Sequence, residues 1–260
     1  MKIFIILIST IIIGGCSMSE NSTDKLNNVP IIPLEDFFKN PEQSSFKMSP
    51  EGNFISYMKP WIEGNRRMNI FVQSMDTNKE ERLTNEKDRS IYGYFWLSEN
   101  RIAYIKDQGG DENIHIYAVN IDGSNEIDLT PFENIQARIT DDLEDNPDYM
   151  IVALNKRDER VHDVFRLNVN TGELKLIAEN PGNIMSWMTD NEGKLRIAIT
   201  SDGVNTSMLY RENENDNFET LLTTNFKESV SPLFFSFDNT ELFVSSNRGR
   251  DKSAIYKFDL

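Results

Sequence analysis

A pattern of short β-rich runs and Asp, Asn or Gly turns returns five times between Ser44 and Leu260. It predicts an all-β fold, a partial β-propeller of about five blades (four complete, the fifth truncated), preceded by a signal peptide and a flexible tether. Two observations carry that class. Corresponding positions keep a nearly constant spacing: Ile70, Ile116, Val164, Met208 and Ile255 lie 46, 48, 44 and 47 residues apart. No copy carries helical periodicity, so each has only strands with which to bury its apolar residues. A period in the forties made of strands and turns is that of a blade, a four-stranded sheet that cannot bury both faces alone. A β-sandwich has turns every ~8 to 12 residues but no reason for this second, longer period.

The elements follow in order within each copy. A polar turn opens it, and a first run follows at Phe54 to Met58, Ile102 to Ile105, Met150 to Leu154, Leu195 to Ile199 and Leu242 to Val244. After a polar loop comes a second run, which begins at the five evenly spaced positions. A turn such as Asp122-Gly123 or Thr171-Gly172 leads to a third apolar element at Leu83-Thr84, Leu129-Thr130, Ile177-Ala178 and Leu222-Thr223, which the fifth copy lacks. The run before the next turn, as at Tyr94 to Leu97, Met185 to Met188 and Leu233 to Phe237, counts as the fourth strand. Strand length and β-rich composition support each assignment. Ahead of the repeats, a short helix is expected around Leu34 to Phe38.

Strand alternation places all the loops between first and second runs at one end of the propeller, and binding usually lives on such loops. The loop Asp107-Gln108-Gly109-Gly110-Asp111-Glu112-Asn113 contributes carboxylates at Asp107, Asp111 and Glu112, suited to a cationic group such as a peptide amino terminus. Trp61 reads as a loop residue at the same end. These four residues form the candidate substrate-facing site. Trp96 and Trp187 sit at similar places before their turns, which predicts packing between blades.

With 27 basic against 42 acidic residues and a net charge of -15, the chain is poorly suited to nucleic acid, whose phosphates call for Lys and Arg clusters. The only cysteine is Cys16, so no intramolecular disulfide can form. Lys2, the aliphatic run Ile3 to Ile13 and the small residues after it make a secretory signal. As a helix the run would reach only about 16 Å against a hydrocarbon core of about 30 Å. Its end, Ile13-Gly14-Gly15-Cys16, resembles the bacterial lipobox, in which the cysteine sulfur carries a diacylglycerol. The expected divisions are residues 1–15, a lipoprotein signal peptide; 16–30, lipidated Cys16 and a disordered tether; and 31–260, the propeller. This implies an extracytoplasmic lipoprotein, periplasm-facing or at the cell surface, held in a bacterial membrane through Cys16.

Reaction chemistry is sparse. No Gly-x-Ser-x-Gly elbow occurs. The two histidines, His115 and His162, stand at or beside the start of a second run and read as structural or solvated. There is no His-Glu-x-x-His and no cysteine pair, and the glycine of Asp122-Gly123 comes too early for a calcium loop. No metal, cofactor or catalytic residue is therefore assigned.

Several segments resemble one family. Ile32-Pro33-Leu34-Glu35-Asp36-Phe37-Phe38-Lys39-Asn40-Pro41, Ser49-Pro50-Glu51-Gly52, Gly109-Gly110-Asp111-Glu112-Asn113 and Asp128-Leu129-Thr130-Pro131-Phe132 are similar to the N-terminal propeller of bacterial prolyl oligopeptidase family serine peptidases. The branch resembled is that of the dipeptidyl and acylaminoacyl peptidases. The resemblance implies a following α/β-hydrolase domain with a Ser, Asp and His triad, peptide substrates, and a propeller that restricts access to the serine. None of the triad positions exists in these 260 residues, so the chain alone is expected to be inactive. The family uses seven or eight blades, so five copies imply the N-terminal part of a longer protein. The alternative is a non-catalytic, TolB-like lipoprotein propeller that binds a peptide or cell-envelope partner.

Overall fold

A computed structural model describes residues 31–38 and 41–260. The chain divides into two units, Met1–Pro41 and Glu42–Leu260. The signal segment, Cys16 and the tether lie outside the described residues. In the first unit Leu34–Phe38 forms the single-turn helix α1, as predicted, with no residue buried. Glu35 and Asp36 fall in its first turn, where unpaired amide groups favour negative charge.

The second unit consists of five antiparallel sheets, each built from strands consecutive in sequence. The first contains β1 (Ser44–Met48), β2 (Phe54–Trp61), β3 (Arg67–Ser74) and β4 (Glu80–Arg82). The second contains β5 (Gly93–Ser98), β6 (Arg101–Lys106), β7 (His115–Asn120) and β8 (Ile127–Asp128). The third contains β9 (Ala137–Asp141), β10 (Tyr149–Asp158), β11 (Val161–Asn168) and β12 (Leu174–Ala178). The fourth contains β13 (Ile184–Thr189), β14 (Leu195–Ser201), β15 (Asn205–Tyr210) and β16 (Glu219–Asn225). The fifth has three strands, β17 (Val230–Phe235), β18 (Glu241–Ser246) and β19 (Ala254–Asp259). This is the propeller arrangement the period predicts.

Hydrogen bonding corrects one detail. The run before each turn leads a sheet rather than closing one: β5 pairs with β6, β13 with β14 and β17 with β18. The cause is local, since only Glu99 and Asn100 separate β5 from β6, and a tight turn makes the next strand the nearest partner.

Four apolar cores join the five sheets in sequence order. Ile70, Tyr104 and Val119 lie between the first two; Ile116, Met150 and Leu167 between the second and third. Val164 and Leu195 join the third to the fourth, and Met208, Leu242 and Val244 the fourth to the fifth. The middle strands supply most of these residues, because in the second, third and fourth sheets each of their faces meets a neighbouring sheet. A fully buried aliphatic side chain of this kind contributes about 1.5–3 kcal/mol.

A polar position recurs beside the core. In the first four sheets the residue before the second run bonds the segment that closes its own sheet. Asn69 Oδ1 accepts from Thr84 Oγ1 at 2.9 Å and from Glu86 N at 2.7 Å. His115 Nδ1 lies 2.9 Å from Asp128 Oδ2, Asp163 Oδ1 accepts from Asn180 N at 2.7 Å, and Ser207 and Thr223 hydroxyls are 2.8 Å apart. In the fifth sheet this position is Ala254, and the following Ile255 is 66% exposed, whereas Ile70, Ile116 and Val164 are 0% exposed. A side chain at this point needs a closing segment to cover it.

Candidate functional site

Strand direction places the β2–β3, β6–β7, β10–β11 and β14–β15 loops at the same end as the connections between sheets, and the predicted site residues lie at that end. In the β6–β7 loop, Gly109 and Gly110 take φ of 64° and 90°, and the Arg89 guanidinium packs 3.4 Å from where a Gly110 Cβ would stand. Arg89 reaches over the loop because Asp107 is buried at its base: Nε donates to Oδ1 at 2.9 Å and Nη2 to Oδ2 at 3.1 Å. This guanidinium holds the Asp107 carboxyl below its ordinary range. Asp107 is thus occupied from within the chain. Asp111 caps its own loop, accepting from Asn113 N at 3.0 Å, and both Asp111 and Glu112 are exposed.

Trp61 is the last residue of β2, paired with Arg67, rather than a loop residue. The alternating register of β2 and β3 continues two residues beyond Lys59, and so includes it. The Arg82 guanidinium sits 3.6 Å from its ring centroid. Gly64 lies so close that an added Cβ would be 2.1 Å from the ring. Protein atoms therefore pack on the indole, and the side chain is half-buried. Trp96 and Trp187 pack between sheets as predicted. Trp96 Nε1 donates to Ser56 Oγ of the first sheet at 2.9 Å, and Trp187 packs against the core joining the third and fourth.

His115 is buried, bonded to Asp128 and stacked on Tyr117, a structural role that its place in the recurrent polar position explains. His162 is different. It lines a cavity of about 480 Å³ between β9, β13 and the β10–β11 turn, together with Gln136, Arg138, Ser186 and Trp187. A second cavity of about 520 Å³ lies on the other side of β13, between Met185 and Pro232. The two share Met185, Ser186 and Trp187, forming one groove across the leading strands. β9 and Arg138 are not legible in the sequence, because only Ala137 and Ile139 of the five residues of this strand are apolar. Among the described residues, no group of three metal-ligating side chains comes together.

Sheets arranged in series, with a groove across their leading strands and loops gathered at one end, define a β-propeller. No family model matches the sequence. The chain is 26% identical over 244 residues to dipeptidyl aminopeptidase BIII of Pseudoxanthomonas mexicana, covering 92% of this chain and 35% of that protein. It is 27% identical over 250 residues to dipeptidyl peptidase family member 6 of Caenorhabditis elegans, covering 88% of this chain and 33% of that protein. It superposes on Porphyromonas gingivalis dipeptidyl peptidase 4 with a TM-score of 0.59 at 13% identity, over 85% of this chain and 38% of that one. An oligogalacturonate lyase superposes nearly as well, with a TM-score of 0.57 at 12% identity over 85% of this chain and 67% of that one. Fold alone therefore does not separate these activities. The chain matches the N-terminal propeller of the prolyl oligopeptidase family, and its relatives are dipeptidyl peptidases. It spans about a third of the length of those relatives.

Proposed function

We propose that this chain is the propeller portion of a serine peptidase of dipeptidyl or acylaminoacyl type, which restricts the access of peptides to a C-terminal α/β-hydrolase domain. One observation carries the reading: 92% of the chain aligns with a dipeptidyl aminopeptidase, yet the match takes up only 35% of that protein. The exposed face at Ile255 is compatible with further protein packing there. In this reading the catalytic Ser, Asp and His belong to the hydrolase domain, and the propeller contributes shape and charge. Ile13-Gly14-Gly15-Cys16 supports an extracytoplasmic lipoprotein anchored through Cys16 in a bacterial membrane.

A serine-directed fluorophosphonate probe tests the peptidase part. It should label a longer cellular protein that antibodies raised against this chain recognise, and leave the 260-residue chain unlabelled. A cellular product no longer than this chain that never labels would overturn the reading. Metabolic labelling with an alkyne fatty acid tests the anchor, since Cys16→Ala should abolish incorporation.

A further inference from the structure

The cavity between β9 and β13 falls within the size range of small-ligand sites, roughly 300–1,000 Å³. Two of its polar groups lack partners. His162 Nε2 is buried and bonds to nothing among the described residues. Arg138, exposed on β9, has no carboxylate within ion-pair reach among the described residues, while its neighbours are taken: Arg157 by Asp163 and Arg160 by Asp158. Among the described residues, Arg138 is therefore an uncommitted cation of this wall in a chain of net charge -15. Glu159, the one carboxylate of the lining, is exposed on the β10–β11 turn, where solvent screens it.

We infer that this cavity is a subsite for the carboxyl-terminal end of a peptide, with Arg138 holding the carboxylate. A guanidinium matches a carboxylate through two parallel hydrogen bonds. Met185 and Trp187 supply apolar wall for the terminal side chain. The inference takes its substrate class from the peptidase reading and adds the end of the peptide that the propeller recognises.

Isothermal titration of the 260-residue chain with acetyl-Ala-Ala and with acetyl-Ala-Ala amide tests it without any hydrolysis. The free acid should bind about tenfold or more tightly than the amide, and Arg138→Gln should remove that preference. Arg138 is exposed, so this variant should keep the parent's melting curve, and a circular dichroism melt checks that. Equal binding of acid and amide, or a preference that survives in Arg138→Gln, would overturn the subsite. An Arg138-dependent preference in a protein whose longer form never takes the fluorophosphonate would keep the subsite and sink the peptidase reading.

Discussion

Arg89 closes a fork on Asp107, with Nε donating to Oδ1 at 2.9 Å and Nη2 to Oδ2 at 3.1 Å. The pair explains why a loop with three carboxylates does not present all three to a ligand. Asp107→Asn should leave Arg89, whose side chain is 39% exposed, to be solvated, so the loss should be about 1 kcal/mol in a urea melt. Amide exchange in residues 107–113 should quicken. Unchanged exchange would mean that the glycines alone shape the loop.

Gly64 and Trp61 make a tighter constraint. An added Cβ at Gly64 would stand 2.1 Å from the indole, so the ring must leave its place against Arg82. Gly64→Ala should cost about 1–3 kcal/mol and shift tryptophan emission to longer wavelength, as expected for overpacking that pushes a ring into water. Emission identical to the parent's would refute the packed placement.

Asn69 satisfies four groups at once: it accepts from Thr84 and Glu86, and donates to the carbonyls of Glu86 at 2.9 Å and Arg67 at 3.1 Å. It is fully buried. Asn69→Ala should cost about 2–4 kcal/mol by chemical denaturation, since it strands several buried partners. A loss below ~1 kcal/mol would show that water takes over its bonds.

Ile116 and Ile255 hold the same place in their sheets, 0% and 66% exposed respectively. Ile116→Ala should cost about 2–5 kcal/mol and Ile255→Ala less than ~0.5 kcal/mol. Similar losses at the two sites in the 260-residue chain would mean that something covers the fifth sheet in solution.

His162 gives the stability a pH dependence. Burial holds its ring below the ordinary value of 6.5, Arg138 adds to that effect, and Asp163 opposes it. Unfolded, the ring binds a proton that the folded chain resists. Its contribution is therefore complete above about pH 6.5 and declines as the pH falls below that value. His162→Asn should flatten this part of the curve of unfolding free energy against pH. An unaltered slope would assign the dependence to other groups, such as Asp163, whose lowered carboxyl value makes its contribution fade only at more acidic pH.

Most of the strands could be read from the sequence. Middle strands such as β3, β6, β7, β10 and β14 carry consecutive buried residues, and that burial concentrates apolar residues at fixed intervals, as at Ile70, Ile116 and Val164. The leading strands are harder to read. β9 is exposed along the groove, and a run such as Ala137-Arg138-Ile139-Thr140-Asp141 carries little apolar signal. Trp61 reads as a loop residue in the sequence for a related reason: the pairing of β2 with β3 runs past the last apolar residues into Lys59-Pro60.

The sequence by itself determined the repeat and the number of sheets, because these depend on local composition and spacing. Only the tertiary structure decided which charges are spent and which are free. Asp107 lies at a loop base that Arg89 closes, and Arg138 lies on a wall where its neighbouring arginines are already taken. Pairing between side chains 18 residues apart, as for Arg89 and Asp107, depends on how neighbouring strands fold back together, which no local pattern encodes.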